Sequence, residues 1–166
     1  MRHYLVSKYF SKRLSTYILS LLFIGTIMAQ QPDSSQYLEG KLQRTDLESF
    51  KWFKDNYNQY KPSMSVVEEL VKFEKCSLLV VLGTWCSDSH ELIPQLFKVA
   101  DFAGWEKIEI IGVNRKKQCS SIDIKPLNIE YVPFILVFKD EKLMGKIIET
   151  TEISIEEDLL KILAKP

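Results

Sequence analysis

Five apolar residues follow one another without alternation from Leu78 to Leu82, and Gly83 closes the run. A strand that is covered on both faces near the centre of a sheet reads this way. Ahead of it, TDLE at Thr45 to Glu48 has the spacing of a capping box. Leu47, Phe50, Phe53 and Tyr57 then follow at helical intervals until Lys61-Pro62. Ser65 to Glu68 repeats the signature, with Val67, Leu70 and Val71 marking a second apolar face. Two helices are therefore predicted before the first clear strand. From Ser89 onward Leu92, Ile93, Leu96, Phe97 and Ala100 form the stripe of another helix, and Ile108 to Val113 predicts a strand parallel to the first, completing a βαβ unit. After a loop from about Asn114 to Val132, Phe134 to Phe138 and Leu143 to Thr150 flank Lys139-Asp140-Glu141-Lys142, a spacing that suits a hairpin. Ser154 to Glu157 caps a last helix containing Ile155, Leu159, Leu160 and Leu163.

The beginning of the chain has a different character. Arg2, Lys8, Lys12 and Arg13 precede an apolar run from Tyr17 to Ala29, and no acid occurs there. The run is shorter than the roughly 18 to 20 residues of a membrane span and ends on a small residue, so residues 1–29 read as a cleavable secretory signal. The alternative is an uncleaved N-terminal membrane anchor. Residues 30–40 are polar, include Pro32 and Gly40, and read as a linker. Cleavage before Gln30 would make the protein exported, periplasmic in a bacterium and secreted otherwise, with no membrane association afterwards.

Charge excludes one class of partner. Taking those four basic residues from 22 leaves 18 against 22 acidic ones, a net charge of −4, and no basic stretch exceeds Arg115-Lys116-Lys117. Nucleic acid is therefore not an expected partner. Three cysteines cannot form a disulfide framework, so the apolar core must hold the fold and thiol chemistry remains open. Cys76, Cys86, His90 and Cys119 show no paired ligand spacing, and no metal site is expected.

Two stretches carry a resemblance to a known family. WCSDSHELIP, residues 85–94, resembles the thioredoxin active-site stretch W-C-x-x-C followed by a helix containing proline, and YVPFILVF, residues 131–138, resembles that family's strand entry at a cis-proline. Trp85, Cys86, Pro94 and Pro133 occupy matching positions, and the element order agrees over about residues 76–164. The resemblance implies an α/β thioredoxin-like fold, a mixed central sheet flanked by helices, for residues 76–166, with residues 41–75 as an N-terminal helical extension. Two departures bear on function. Ser89 stands where the family has its resolving cysteine, which makes this a monothiol C-x-x-S variant, and Val80 stands where thioredoxins commonly carry a buried aspartate.

The chemistry then centres on Cys86. A cysteine where a central strand hands over to a helix meets backbone N–H groups and the positive end of the helix dipole, which favour the attacking thiolate. Ser89 has two readings: its hydroxyl donates to that thiolate, or it faces solvent. Asp88 suits the first helical turn and opposes the thiolate charge, while His90 is expected to be exposed on the helix. The resemblance makes Val132-Pro133 a cis bond whose backbone lies beside Cys86, so Trp85, Val132 and Pro133 would form a groove for an extended substrate. Phe134 makes that wall more apolar. Cys119 leaves the same sheet edge as Cys86 and is the candidate resolving thiol, whereas Cys76 lies at the far end of the strand and is expected only to pack.

Taken together, these residues indicate an exported thiol–disulfide exchange protein acting through Cys86 and Ser89 on thiol- or disulfide-containing proteins or peptides, without a cofactor. The alternative is a binding module that kept the fold and groove but performs no covalent chemistry.

Overall fold

The computed structural model describes residues 37–165; the expected signal, residues 1–29, and residues 30–36 of the expected linker lie outside them. Five strands form one sheet in the order β1-β3-β2-β4-β5: β1 (Gly40–Leu42), β2 (Cys76–Leu82), β3 (Ile108–Gly112), β4 (Phe134–Lys139) and β5 (Lys142–Ile148). The central strand β2 runs parallel to β3, with Leu78 opposite Ile108, and antiparallel to β4, with Val81 opposite Phe134. The sheet is thus mixed, and it carries the thioredoxin-like fold. The expected hairpin joins β4 to β5 through Asp140 and Glu141, both at positive φ (49° and 66°). This backbone matches the twist of a two-residue hairpin.

Helices α1 (Arg44–Glu48), α2 (Lys51–Gln59), α3 (Met64–Leu70), α4 (Ser87–Ala103) and α5 (Ile155–Leu163) all send buried residues into one cluster with Leu78, Val80 and Leu82 of β2. Val81, Ile111, Val113, Phe134 and Leu136 form the opposite face, which the 114–133 loop covers with Ile124 and Val132. That loop contains a single 3-10 turn, Lys125–Leu127.

The N-terminal helices differ from the sequence expectation. The run starting at Thr45 is two helices, because Ser49 Oγ donates to Asp46 O at 2.6 Å and Phe50 takes an extended conformation before α2 begins. A serine bonding back to its own turn competes with helix continuation, and the break lets Leu47, Phe50 and Phe53 all reach the core. The cap of α1 is Gln43, not Thr45: the Gln43 N–H donates to Asp46 Oδ2 at 2.8 Å. Likewise Ser63, not Ser65, precedes α3. The cap expected for α5 is present, with the Glu157 N–H donating to Ser154 Oγ at 3.3 Å.

Strand β1 is not legible in the sequence, where residues 30–40 read as a linker and 41–75 as a helical extension. It pairs antiparallel with β3, placing Gly40 opposite Gly112. A Cβ on Gly112 would lie 2.5 Å from the Leu38 carbonyl oxygen, so only glycine admits the edge chain there.

Polar contacts bind the helical layers together. Glu156, 3% exposed, accepts the Tyr60 hydroxyl at 2.5 Å and the Ser63 N–H at 2.8 Å. Burial, and then the bond to Glu156, push the Tyr60 hydroxyl well above its ordinary range. Arg44 donates to both oxygens of Asp101 at 2.5 and 2.8 Å, and the Tyr57 hydroxyl adds a third bond at 2.6 Å. Burial opposes ionisation of Asp101, but the Arg44 and Tyr57 bonds together outweigh it and hold the carboxyl below its usual range. A carboxyl lowered on folding stabilises above its unfolded pKa, about 3.9, and that contribution fades as pH falls through the lower folded value. The stability difference between wild type and Asp101→Asn should therefore be present at pH 7 and shrink below about pH 4. Urea midpoints at pH 7 and pH 3 measure it. Because the pair is partly exposed, the effect should be modest.

Candidate functional site around Cys86

Beyond β2 the chain turns through Gly83 and Thr84, and the Cys86 N–H closes the turn on Gly83 O at 2.9 Å. Gly83 is required here, since a Cβ would lie 2.6 Å from the Trp85 indole. Cys86 is the N-cap of α4 with extended backbone, and the first helical bond runs from the His90 N–H to Cys86 O at 3.0 Å. The cysteine is thus half-buried at the helix start that the sequence placed it on. Its sulfur lies 3.3 Å from Val132 O and 3.8 Å from Asp88 Oδ2. Val132-Pro133 is cis, as the resemblance implied, and both residues are buried. Trp85 is half-buried; its Nε1–H donates to Val113 O at 2.9 Å, and the Arg115 guanidinium carbon lies 5.3 Å above the ring. Trp85, Cys86, Val132 and Pro133 therefore meet at one edge of the sheet, with Phe134 buried behind them.

Ser89 fits neither of its two expected readings. It is fully buried, and its Oγ has no hydrogen-bond partner. The cause is the helix stripe itself: Ser89 lies one turn before Ile93, which is also fully buried, so the face that anchors α4 carries the hydroxyl inward. Val80 is likewise fully buried, on the helix side of the sheet.

His90 is not exposed as expected. Its ring stacks on Trp52 of α2, with centroids 4.3 Å apart and planes 18° from parallel, and Nε2 lies 2.8 Å from Thr84 O. A carbonyl only accepts, so Nε2 carries the hydrogen. Pro94 explains a further contact. Lacking an N–H, it cannot bond the carbonyl four residues earlier, that of His90, and the Asn56 side-chain amide donates to this oxygen at 2.9 Å instead. Trp52 and Asn56 lie one helical turn apart on α2, and the sequence reading did not single them out. The available signal was Pro94, which predicts an orphaned carbonyl at His90.

The other two cysteines separate clearly. Cys119 is half-buried, packs against the same sheet face as Trp85 and Cys86, and has its sulfur 3.4 Å from Ser121 Oγ. It shares the face with Cys86, and no disulfide joins them: all three thiols are free. Cys76 is buried at the start of β2, and burial pushes its thiol up to about 12. At neutral pH brief alkylation should modify Cys86 and Cys119 while sparing Cys76, which should react only after unfolding in urea. Peptide mass mapping with and without urea checks this, and early labelling of Cys76 in the native protein would contradict the placement of β2. Among the described residues no group of three or more His, Cys, Asp and Glu side chains is placed to hold a metal ion, and no helix is long and apolar enough to cross a membrane.

A cysteine capping the helix after the central strand, facing a cis-proline across the sheet edge, defines a thioredoxin-like fold with one sulfur at its site. No family model and no curated protein matches the chain. Among solved structures, a protein of unknown function from Pseudomonas aeruginosa is 18% identical over 74% of this chain and 86% of its own, with a TM-score of 0.52. An HIV epitope-scaffold is 20% identical over 68% of this chain and 80% of its own, with a TM-score of 0.48. Oxidised mitochondrial thioredoxin 3 from Saccharomyces cerevisiae is 22% identical over 56% of this chain and 86% of its own, with a TM-score of 0.34. At such identities the likeness is one of fold alone, and the Pseudomonas protein carries it.

Proposed function

We propose that the protein is an exported thiol–disulfide exchange protein of the monothiol type, acting through Cys86 on extended polypeptides. The observation that carries this reading is the Cys86 sulfur at the helix N-cap, 3.3 Å from the carbonyl of Val132. A chain pairing along that edge brings its own sulfur to Cys86. The thiolate attacks a substrate disulfide, forming Cys86–S–S–R and releasing the second substrate sulfur as a thiolate. A thiol must then attack the adduct to free Cys86. Ser89 cannot do so, which leaves a substrate thiol, an external thiol or Cys119. Export rests on the basic start and apolar run of residues 1–29, with the uncleaved anchor as the alternative.

The test is non-reducing electrophoresis of wild type, Cys86→Ala and Cys119→Ser after incubation with a disulfide-bearing peptide. Wild type should accumulate adducts and Cys86→Ala none. If Cys119 resolves them, Cys119→Ser adducts should last longer. An equal absence of adducts in wild type and Cys86→Ala would sink the exchange mechanism and leave the non-catalytic binding module as the better account.

A further inference from the structure

Two cations rest on aromatic rings of residues that adjoin the site in sequence. Arg115 lies over Trp85, the residue before the cysteine, and Lys117 Nζ lies 6.0 Å from the ring centre of Tyr131, the residue before Val132. Both come from one tight turn built on Asn114. The Asn114 side-chain oxygen accepts the N–H groups of Lys116 at 2.9 Å and Gln118 at 3.2 Å, while Asn114 O accepts the Lys117 N–H at 2.8 Å. The turn therefore holds three consecutive cations at the site edge, and among the described residues none of the three is in a salt bridge. Behind it the loop forms an open cleft of about 560 Å³ walled by Lys116, Lys117, Lys125, Cys119 and Asp123, and the Glu39 carboxylate reaches its Ser120 N–H at 2.5 Å. Asp123 accepts the backbone N–H of Lys125. The carboxylate touching the sulfur is Asp88, on α4, and Glu130 stands exposed beside Tyr131.

We propose that this rim selects polypeptides whose target cysteine is flanked by acidic residues, with Arg115 and Lys117 receiving their carboxylates. The proposal rests on the reading of Cys86 as the attacking sulfur and adds the substrate class. An extended chain advances about 3.3 Å per residue, so acids one or two positions from the cysteine lie within reach of long side chains on either ring. In each pair the charged group itself lies over the ring, the Arg115 guanidinium carbon at 5.3 Å from the Trp85 centre and Lys117 Nζ at 6.0 Å from that of Tyr131. The carboxylate thus meets a preplaced charge.

Adduct formation should be timed with three peptides carrying one disulfide flanked by Glu, Gln or Lys, and with a neutral small disulfide. At low salt wild type should favour the Glu over the Lys peptide by about tenfold, and the ratio should shrink at 0.5 M salt. In Arg115→Gln/Lys117→Gln the ratio should drop below about twofold, while Lys72→Gln/Lys75→Gln, the same charge change near the opposite end of β2 from Cys86, should keep it. Equal rates for all three peptides, a ratio indifferent to salt, or an equal loss in the distant variant would overturn the proposal. No reaction with the neutral disulfide would instead overturn the role of Cys86 itself, so the two failures are distinct.

Discussion

Ser89→Cys should shorten the lifetime of Cys86 mixed disulfides by at least about 100-fold, because a thiol in the next helical turn attacks the adduct intramolecularly. The site accepts the change. Ser89 is fully buried with an unpartnered hydroxyl, and cysteine is close to it in size and behaves as a small apolar residue with a weak donor. Replacing an unsatisfied buried hydroxyl should leave stability unchanged or raise it by up to about 1 kcal/mol. Val80 sets a ceiling on the gain, since that position offers no acid to take or return the proton. The measurement is an adduct chase on non-reducing gels in a Cys119→Ser background, so that the new thiol is the only internal route. A lifetime equal to that of Cys119→Ser alone would show that the residue 89 side chain cannot reach the adduct.

Phe53→Ala should cost about 3–5 kcal/mol, a large part of the roughly 5–15 kcal/mol that holds a domain of this kind together. The ring is 2% exposed and packs edge-on against Phe97 of α4, 5.7 Å between centroids, and beside Tyr57 at 6.1 Å. Helix α2 therefore shares a core with the helix that carries Cys86, and the Asn56 and Trp52 contacts to His90 reinforce the join. Urea unfolding followed by both circular dichroism and tryptophan fluorescence should show one shifted transition. A loss below about 1 kcal/mol, with α1–α3 melting separately, would mean that these helices are an appendage to the sheet.

Features set by local spacing were legible in the chain. The unbroken apolar run of β2, the stripe of α4, the two strands of the hairpin and the Ser154 cap each rest on residues within a few positions of one another, where periodicity and capping chemistry act directly. The position of Cys86 at a strand-to-helix handover followed from the same local signals, and the cis bond at Pro133 followed from the resemblance. Features needing contact between distant segments were not legible. The three residues of β1 have too little pattern to announce a strand, and they become one because Gly112 leaves room for the Leu38 backbone. The break between α1 and α2 lets Phe50 enter the core beside Leu47 and Phe53, and only that packing selects it over a continuous helix. His90 has a polar side chain on a helix, and only the arrival of Trp52 from α2 leaves it half-buried under a stacked ring.

The sequence by itself determined β2, α4, the two hairpin strands and α5, and which sulfur stands at the helix start, since those depend on side-chain order along a few turns of chain. Tertiary structure alone decided that the Ser89 hydroxyl is left without a partner, that Cys119 shares a sheet face with Cys86, and that Arg115 and Lys117 rest on Trp85 and Tyr131. Each depends on how the 114–133 loop and α4 settle against the sheet, and that choice belongs to the packing of the whole core, because no local pattern encodes which face a long connection will cover.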